Sequence, residues 1–179
     1  MVSAGVNEFR LEFIYFSVAM ILSFLGDLAM ANKLKIVESH IINGIGLFGL
    51  GHIFYGLGFW TLSNDDFEDK LIFVLVILIF VFYFVIGYNR KQPRAMNIAT
   101  LFYTVLLSSV LILAMNFSIN SDTSSTIAAI AIIGIILFVI SDSLIAINHF
   151  KQKIPGGDYL IAGTYIPAQL LLQSILLFH

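Results

Sequence analysis

The chain has 179 residues, 59% of them hydrophobic and 11% charged, with a net charge of −2, no cysteine and a mean hydropathy of +0.97. A water-soluble domain of this length carries about 25% charged residues, so there is too little polar surface to cover a globule in water, and a multi-pass membrane protein is the class that remains. No basic run supports nucleic acid as a partner, and the lack of cysteine excludes disulfides, a thiolate nucleophile and a Cys-based metal site.

The N-terminal stretch MVSAGVNEFRLE has one Arg against two Glu and leads into a long apolar run without a small-residue cleavage site, so it is not read as a signal peptide. A span needs ~20 apolar residues. Six such runs follow, at about 9–31, 36–60, 71–88, 95–117, 127–150 and 159–178. The predicted fold is therefore all-α: one integral membrane domain, 1–179, built as a bundle of about six helices with short loops. The connections are short, so neighbouring helices are expected to pack antiparallel.

Loop charges test that count. With six spans, alternate loops share a side, and one side then holds Lys33, Lys35, Arg90, Lys91, Arg94, Lys151 and Lys153. The other holds Arg10 and Lys70 with most of the acids. This is the pattern of a positive cytoplasmic face, and it places both termini outside.

In the second run Gly44, Gly51 and Gly58 recur every seven residues on one face, which reads as a surface for close helix packing. Asn116-Phe117-Ser118 matches a glycosylation sequon on the outer side, too near the membrane to be used.

In the interior of the spans two acids stand out, Asp27 in FLGDLAM and Asp142 beside Ser141 in FVISDSL, with no Lys or Arg beside them. A carboxylate there costs roughly 3 kcal/mol on insertion scales. At 1.5 Å per residue, Asp27 lies about 9 Å from Lys33 and Asp142 about 13 Å from Lys151. Both are thus expected in one layer of the cytoplasmic half, with Asn43, Tyr103, Asn148, Tyr165 and Gln169 nearby. Tyr165 and Gln169 are four residues apart and share a helix face. Pro167 between them leaves the Gly163 carbonyl without its usual donor, so either it kinks the helix to make a cavity wall or it is an ordinary transmembrane proline.

Two acids in one low-dielectric pocket without a cation cannot both be comfortably ionised. One is then an acid and the other a base, the logic of oxocarbenium chemistry. The alternative is that each merely bonds a Ser, Asn or Tyr between helices. His52, with Tyr55 on its face, either orients a group or water at the top of the cavity or bridges helices. His40 and His149 fall at the cytoplasmic interface, and His179 is terminal. Two acids and one membrane His leave a metal site open, but the pattern is not specific for one and no metal ligand is assigned.

Four stretches, SFLGDLAM (23–30), FGLGHIFYGLGF (48–59), FVISDSLIAINHF (138–150) and TYIPAQLLL (164–172), together resemble the YhhN family, which includes the animal lysoplasmalogenases. The likeness covers most of the chain from Phe16 onward, and its SD and TYxxAQ parts are the most specific. Family members have about eight spans, with roughly two helices before the GD helix. This chain has room for one up to that point, which leaves one side of the bundle for another subunit, a homo-oligomer, to close.

The resemblance implies an intramembrane ether hydrolase that cleaves the vinyl ether bond of a lysoplasmalogen to a fatty aldehyde and glycerophospho-ethanolamine or -choline. Asp27 and Asp142 would be acid and base, in an order the sequence leaves open. Tyr103, Tyr165, Gln169 and Asn148 would position water and the glycerol end, and cytoplasmic Lys and Arg residues would attract the phosphate. No cofactor is implied; the partners are a lysophospholipid and membrane lipids, and in a bacterium the location is the inner or plasma membrane. A hydrolase of another lysolipid, a proton-coupled transporter using the same acids and a purely structural module are the alternatives. The transporter lacks the inverted repeat and matched broken helices expected of that class.

Overall fold

The computed structural model describes residues 10–63, 67–120 and 123–178. Six helices follow one another: α1 (Leu11–Met30), α2 (His40–Leu62), α3 (Lys70–Val81), α4 (Arg94–Asn120), α5 (Ser125–Phe150) and α6 (Gly157–Phe178), with no strand among the described residues. Five of the six are long and apolar enough to cross a membrane. The expected third span is a shorter apolar helix, Lys70–Ile86. The N-terminal stretch before Arg10 and the acids Asp65, Asp66 and Asp122 lie outside the described residues.

Local chemistry sets the helix ends. After α1, Asn32 adopts a left-handed backbone with φ 57°. Lys33 N–H then reaches the Leu28 carbonyl at 2.8 Å and Asn32 N–H the Ala29 carbonyl at 2.9 Å, the paired bonds that satisfy the last carbonyls of a helix. The second span begins four residues later than expected because Ile36–Ser39 are taken by the turn. Asn43 clasps Val37 there, its amide oxygen accepting from Val37 N–H at 2.9 Å and its amide nitrogen donating to the Val37 carbonyl at 2.8 Å. Ser39 caps α2 through Ile42 N–H. At the end of α3 the backbone widens into a π-helical stretch, Phe82–Gly87. The Lys151 ammonium donates to the Val85 carbonyl of that stretch.

α1 packs along α2 and α5 along α6, α4 lies between α2 and α5, and α1 returns against α6. The five long helices thus close a ring within the chain, with α3 and its π-helical continuation outside, on α4 and α5. Gln173 Nε2 of α6 donates to the Phe16 carbonyl of α1 at 3.1 Å, tying the last helix to the first. The ring encloses Phe16, Tyr55, Phe59, Phe117, Phe138 and Leu172. Large apolar side chains also cover the outside, with Phe73 76% and Leu177 80% exposed, whereas Ser23, His52, Ser108, Ser141 and Asp142 are buried. A lipid solvent reverses the soluble arrangement in this way, because polar side chains are costly where they face hydrocarbon.

The basic loops gather at one end. Arg90 and Lys91 share a cavity with Lys151, and Lys153 shares another with Asp27 of α1. Asn116, by contrast, is buried in α4, where its amide oxygen accepts from Glu68 N–H and Asn120 Nδ2. The sequon is therefore closed off by packing.

The glycine stripe of α2 faces α1. A Cβ on Gly51 would sit 3.3 Å from the Ala19 carbonyl oxygen and 3.2 Å from Ser23 Oγ, and Cβ atoms on Gly44 and Gly58 would collide with Met30 and the Phe16 ring. Gly46, on the opposite side, meets nothing within 4 Å. Gly58→Ala is expected to cost about 1–3 kcal/mol of stability, the scale of overpacking. Gly46→Ala should instead stabilise by up to about 1 kcal/mol, since alanine is the better helix former and its methyl group meets nothing there. Detergent unfolding curves of the two variants beside the native protein test the pair.

Candidate active site

Adjacent residues on a helix point about 100° apart, and α5 uses that to give Ser141 and Asp142 different neighbours. The Ser141 hydroxyl donates to the Ile161 carbonyl of α6 at 3.4 Å. Asp142, 3% exposed, turns to α4 and α2. The Tyr103 hydroxyl donates to Asp142 Oδ2 at 2.5 Å, and His52 Nε2 lies 3.3 Å from the same oxygen. His52 Nδ1 is 2.6 Å from the Phe48 carbonyl oxygen one turn back in α2. Neither Asp142 Oδ1 nor His52 Nε2 has an aligned hydrogen bond among the described residues. Phe138, one turn before Asp142, presses the site together, its ring edge-on to His52 at 5.0 Å, Tyr55 at 5.9 Å and Tyr165 at 5.8 Å.

Asp27 sits in the last turn of α1, half-buried. Tyr165 of α6 lines the same cavity as Asp27, and both Tyr165 and Asp142 are near enough to act on its charge. The preceding Gly26 has a local reason to lack a side chain: a Cβ there would stand 3.0 Å from the Phe48 ring. That ring packs edge-on to Tyr165 at 6.2 Å. The GD pair thus lets Phe48 settle against α1 directly beside the acid.

The two acids open onto different, adjoining cavities. Asp142 lines an almost wholly apolar one of about 50 Å³, bounded by α2, α4, α5 and the π-helical residues Phe82 and Ile86. Asp27 lines a more polar one of about 450 Å³ with Tyr165, Asn148, His149, Lys153 and Asp158. Met30, Phe48, Ile145 and His149 border both. The expected single site is therefore two compartments with one acid each and a shared wall.

The remaining expected residues fall at several levels. Tyr55, fully buried, donates to Gln169 Oε1 at 2.5 Å and accepts from Gln173 Nε2 at 3.2 Å, forming a polar cluster below the cavities. Asn148 lines the polar cavity while its amide oxygen accepts from Ile154 N–H at 2.9 Å. Asn43 is a loop clasp. α6 is continuous through Pro167, with Tyr165 on the Asp27 side and Gln169 on the Tyr55 side. Phe138, Phe48 and the bordering position of His149 were not picked out from the sequence, whereas Lys153 is one of the basic loop residues expected to attract the phosphate and lines the Asp27 cavity. His149 had a readable signal, since Asp142, Ile145 and His149 follow i, i+3, i+7 spacing on one helix face. Among the described residues no group of three or more His, Asp or Glu side chains is arranged to hold a metal ion.

A comparison with curated proteins gave no match, and neither did one with solved structures. The model of the YhhN family matches residues 3–175, nearly the whole chain. A helical membrane bundle with its two interior acids on α1 and α5 thus accompanies a full-length family match, and the chain belongs to the YhhN family.

Proposed function

We propose that this membrane protein is a lysoplasmalogenase-type hydrolase, which opens the vinyl ether bond of a lysoplasmalogen to a fatty aldehyde and a glycerophospho-ethanolamine or -choline. The observation that carries the reading is the division of the site. An apolar cavity with one carboxyl group adjoins a polar cavity with the other, and Lys153 stands in the polar one. A lysolipid is divided in the same way, with the vinyl ether bond at the junction of chain and headgroup. An alkenyl chain that stays in the lipid beside α2 and the π-helical stretch, and brings only its vinyl end to the small apolar cavity with the glycerophosphate beside Lys153, places that bond at the Met30–Phe48–Ile145 wall.

Vinyl ether hydrolysis needs a proton on the outer vinyl carbon and an activated water at the resulting oxocarbenium carbon. Two carboxyl groups on either side of the reacting atoms supply both. Tyr103 holds Asp142 by its hydrogen bond, Tyr165 lines the cavity beside Asp27, and Asn148 lies where the glycerol would pass. The basic loops put this end of the bundle on the cytoplasmic side by the charge rule, so the headgroup is taken from the inner leaflet.

Purified protein in detergent is expected to release fatty aldehyde from a defined alkenyl lysophosphatidylethanolamine. Asp27→Asn and Asp142→Asn should each lower the rate by about 10²–10⁴-fold, the usual contribution of a general acid or base, with the fold checked by thermal unfolding. Full activity in either variant would remove that acid from the mechanism. Aldehyde release absent from the native protein, with hydrolysis of an acyl lysolipid in its place, would make it a hydrolase of another lysolipid. Neither product, together with proton-driven solute uptake in vesicles, would make it a transporter.

Lys153→Ala separates headgroup binding from chemistry. It is expected to raise KM roughly two- to five-fold, the scale of an exposed ion pair of up to about 1 kcal/mol, and to leave kcat unchanged. An unchanged KM for the phosphate-bearing substrate would place the headgroup elsewhere.

A further inference from the structure

The hydrogens around His52 can be counted. Its Nδ1 faces the Phe48 carbonyl oxygen at 2.6 Å. A carbonyl oxygen only accepts, so Nδ1 carries a hydrogen. A neutral imidazole then has a bare Nε2, and that atom stands 3.3 Å from Asp142 Oδ2 with both side chains 1% exposed. If Asp142 were ionised at the same time, two lone-pair atoms would face each other in a dry site. Tyr103 cannot bridge them, because its hydroxyl hydrogen is already given to Oδ2. Asp27 on α1 and Tyr165 on α6 lie within electrostatic reach of Asp142, His149 lines the same cavity as Asp142 from its exposed end, and Tyr55 of α2 gives its hydroxyl hydrogen to Gln169. Two arrangements remain, imidazolium with carboxylate or imidazole with carboxylic acid. Each holds one proton in the pair and has no net charge, as a membrane interior requires.

We infer that His52 and Asp142 share a single proton and that this pair is the acid of the reaction, which leaves Asp27 to activate water. The inference rests on the hydrolase reading for its chemistry; the shared proton rests on the 3.3 Å approach of Nε2 to Oδ2 in a buried site, a contact that a small turn of the ring would align into a hydrogen bond. Asp142 lines the apolar cavity, where a proton is delivered to carbon without competing water, whereas half-buried Asp27 lines the polar cavity that water can enter. In the first step the Asp142 proton forms a C–H bond with the outer vinyl carbon, and the ether oxygen's electrons make the oxocarbenium ion. Water then adds to the cationic carbon and loses a proton to the Asp27 carboxylate. In the last step the hemiacetal hydroxyl returns a proton to the His52–Asp142 pair, the C–O bond breaks, and Asp27 protonates the leaving glycerol oxygen. One water is consumed and both acids end as they began. His52 acts through Asp142 and is a positioning residue.

Two kinds of measurement test this. The first needs no turnover: nitrogen NMR of histidine-labelled protein, with the His52 signal assigned by its loss in His52→Gln, and the infrared carboxylic-acid band assigned by its loss in Asp142→Asn. At neutral pH either a doubly protonated His52 or a protonated Asp142 is expected, and a neutral His52 beside an ionised Asp142 overturns the shared proton. Should Asp142→Asn fail to fold, Asp27→Asn leaves Asp142 as the remaining interior carboxyl group on which to read the band.

The second follows aldehyde release from the alkenyl lysophosphatidylethanolamine. His52→Gln is expected to lower kcat about 100-fold with KM within two-fold. Added formate should restore part of the activity of Asp27→Asn, whose lost base a small anion can replace, and none of that of Asp142→Asn. Unchanged kcat in His52→Gln, or formate rescue of Asp142→Asn instead, overturns the assignment. A native protein that releases no aldehyde refutes the reaction and the acid assignment with it, while the spectra still decide the shared proton.

Discussion

A carboxyl group in the middle of a lipid-facing bundle sets the terms for the rest of this molecule. Left alone, Asp142 would cost roughly 3 kcal/mol or more, and its surroundings are arranged to offset that. Tyr103 gives it a hydrogen bond, His52 supplies the nearest nitrogen, and the His52 ring is packed between those of Tyr103 and Phe138. These groups come from α4, α2 and α5, so the acid is also what three helices have in common. A hydrophobic residue of similar volume would pack there more cheaply. The retention of a full polar set is therefore hard to account for by stability.

The close approach of α1 and α2 belongs to the same arrangement. Gly44, Gly51 and Gly58 let α1 lie against α2, with Phe16 and Met30 in the grooves they leave. Gly26 does the converse, admitting the Phe48 ring to α1. Phe48 in turn borders both cavities, and its carbonyl fixes the His52 ring. One aromatic residue thereby couples the packing of the first two helices to the wall between the acids and to the proton arrangement at Asp142. A small residue at Gly26 or Gly51 is in this sense a part of the site, although none of its atoms touches a reacting group.

Six helices and a bundle were legible in the sequence because apolar runs and loop charges are local signals. The acids were legible because their cost is high wherever the bilayer places them. The start of α2 was not, since Ile36 and Val37 are as apolar as a span, and what removes them from it is the clasp of Asn43 on the Val37 backbone. The π-helical end of α3 was not either. The run FYFVIG carries no break, and the Lys151 bond to Val85 comes from a loop far along the chain. The pairing of His52 with Asp142 escaped for the same reason, since spacing says which residues share a helix face and nothing about which face meets it. Two acids at matched depth suggested one pocket; Phe48 and Met30 divide it, and their positions follow from glycines on the opposing helices.

That division bears on how so small a bundle could act on an amphiphile. A single polar cavity deep in the membrane would have to be kept wet, at the expense of the helix contacts around it. A single apolar one would offer water no approach to the reacting carbon. Two compartments would avoid both difficulties: the buried acid would work where water is scarce, and the half-buried one where it is available. The wall between them is made of Met30, Phe48 and Ile145, apolar side chains that can shift against an alkenyl chain without breaking a hydrogen bond. His149 borders both compartments at their exposed end. The protein thus meets the two-sided chemistry of its proposed substrate with a two-sided site, using groups that the fold already needed in order to bury Asp142.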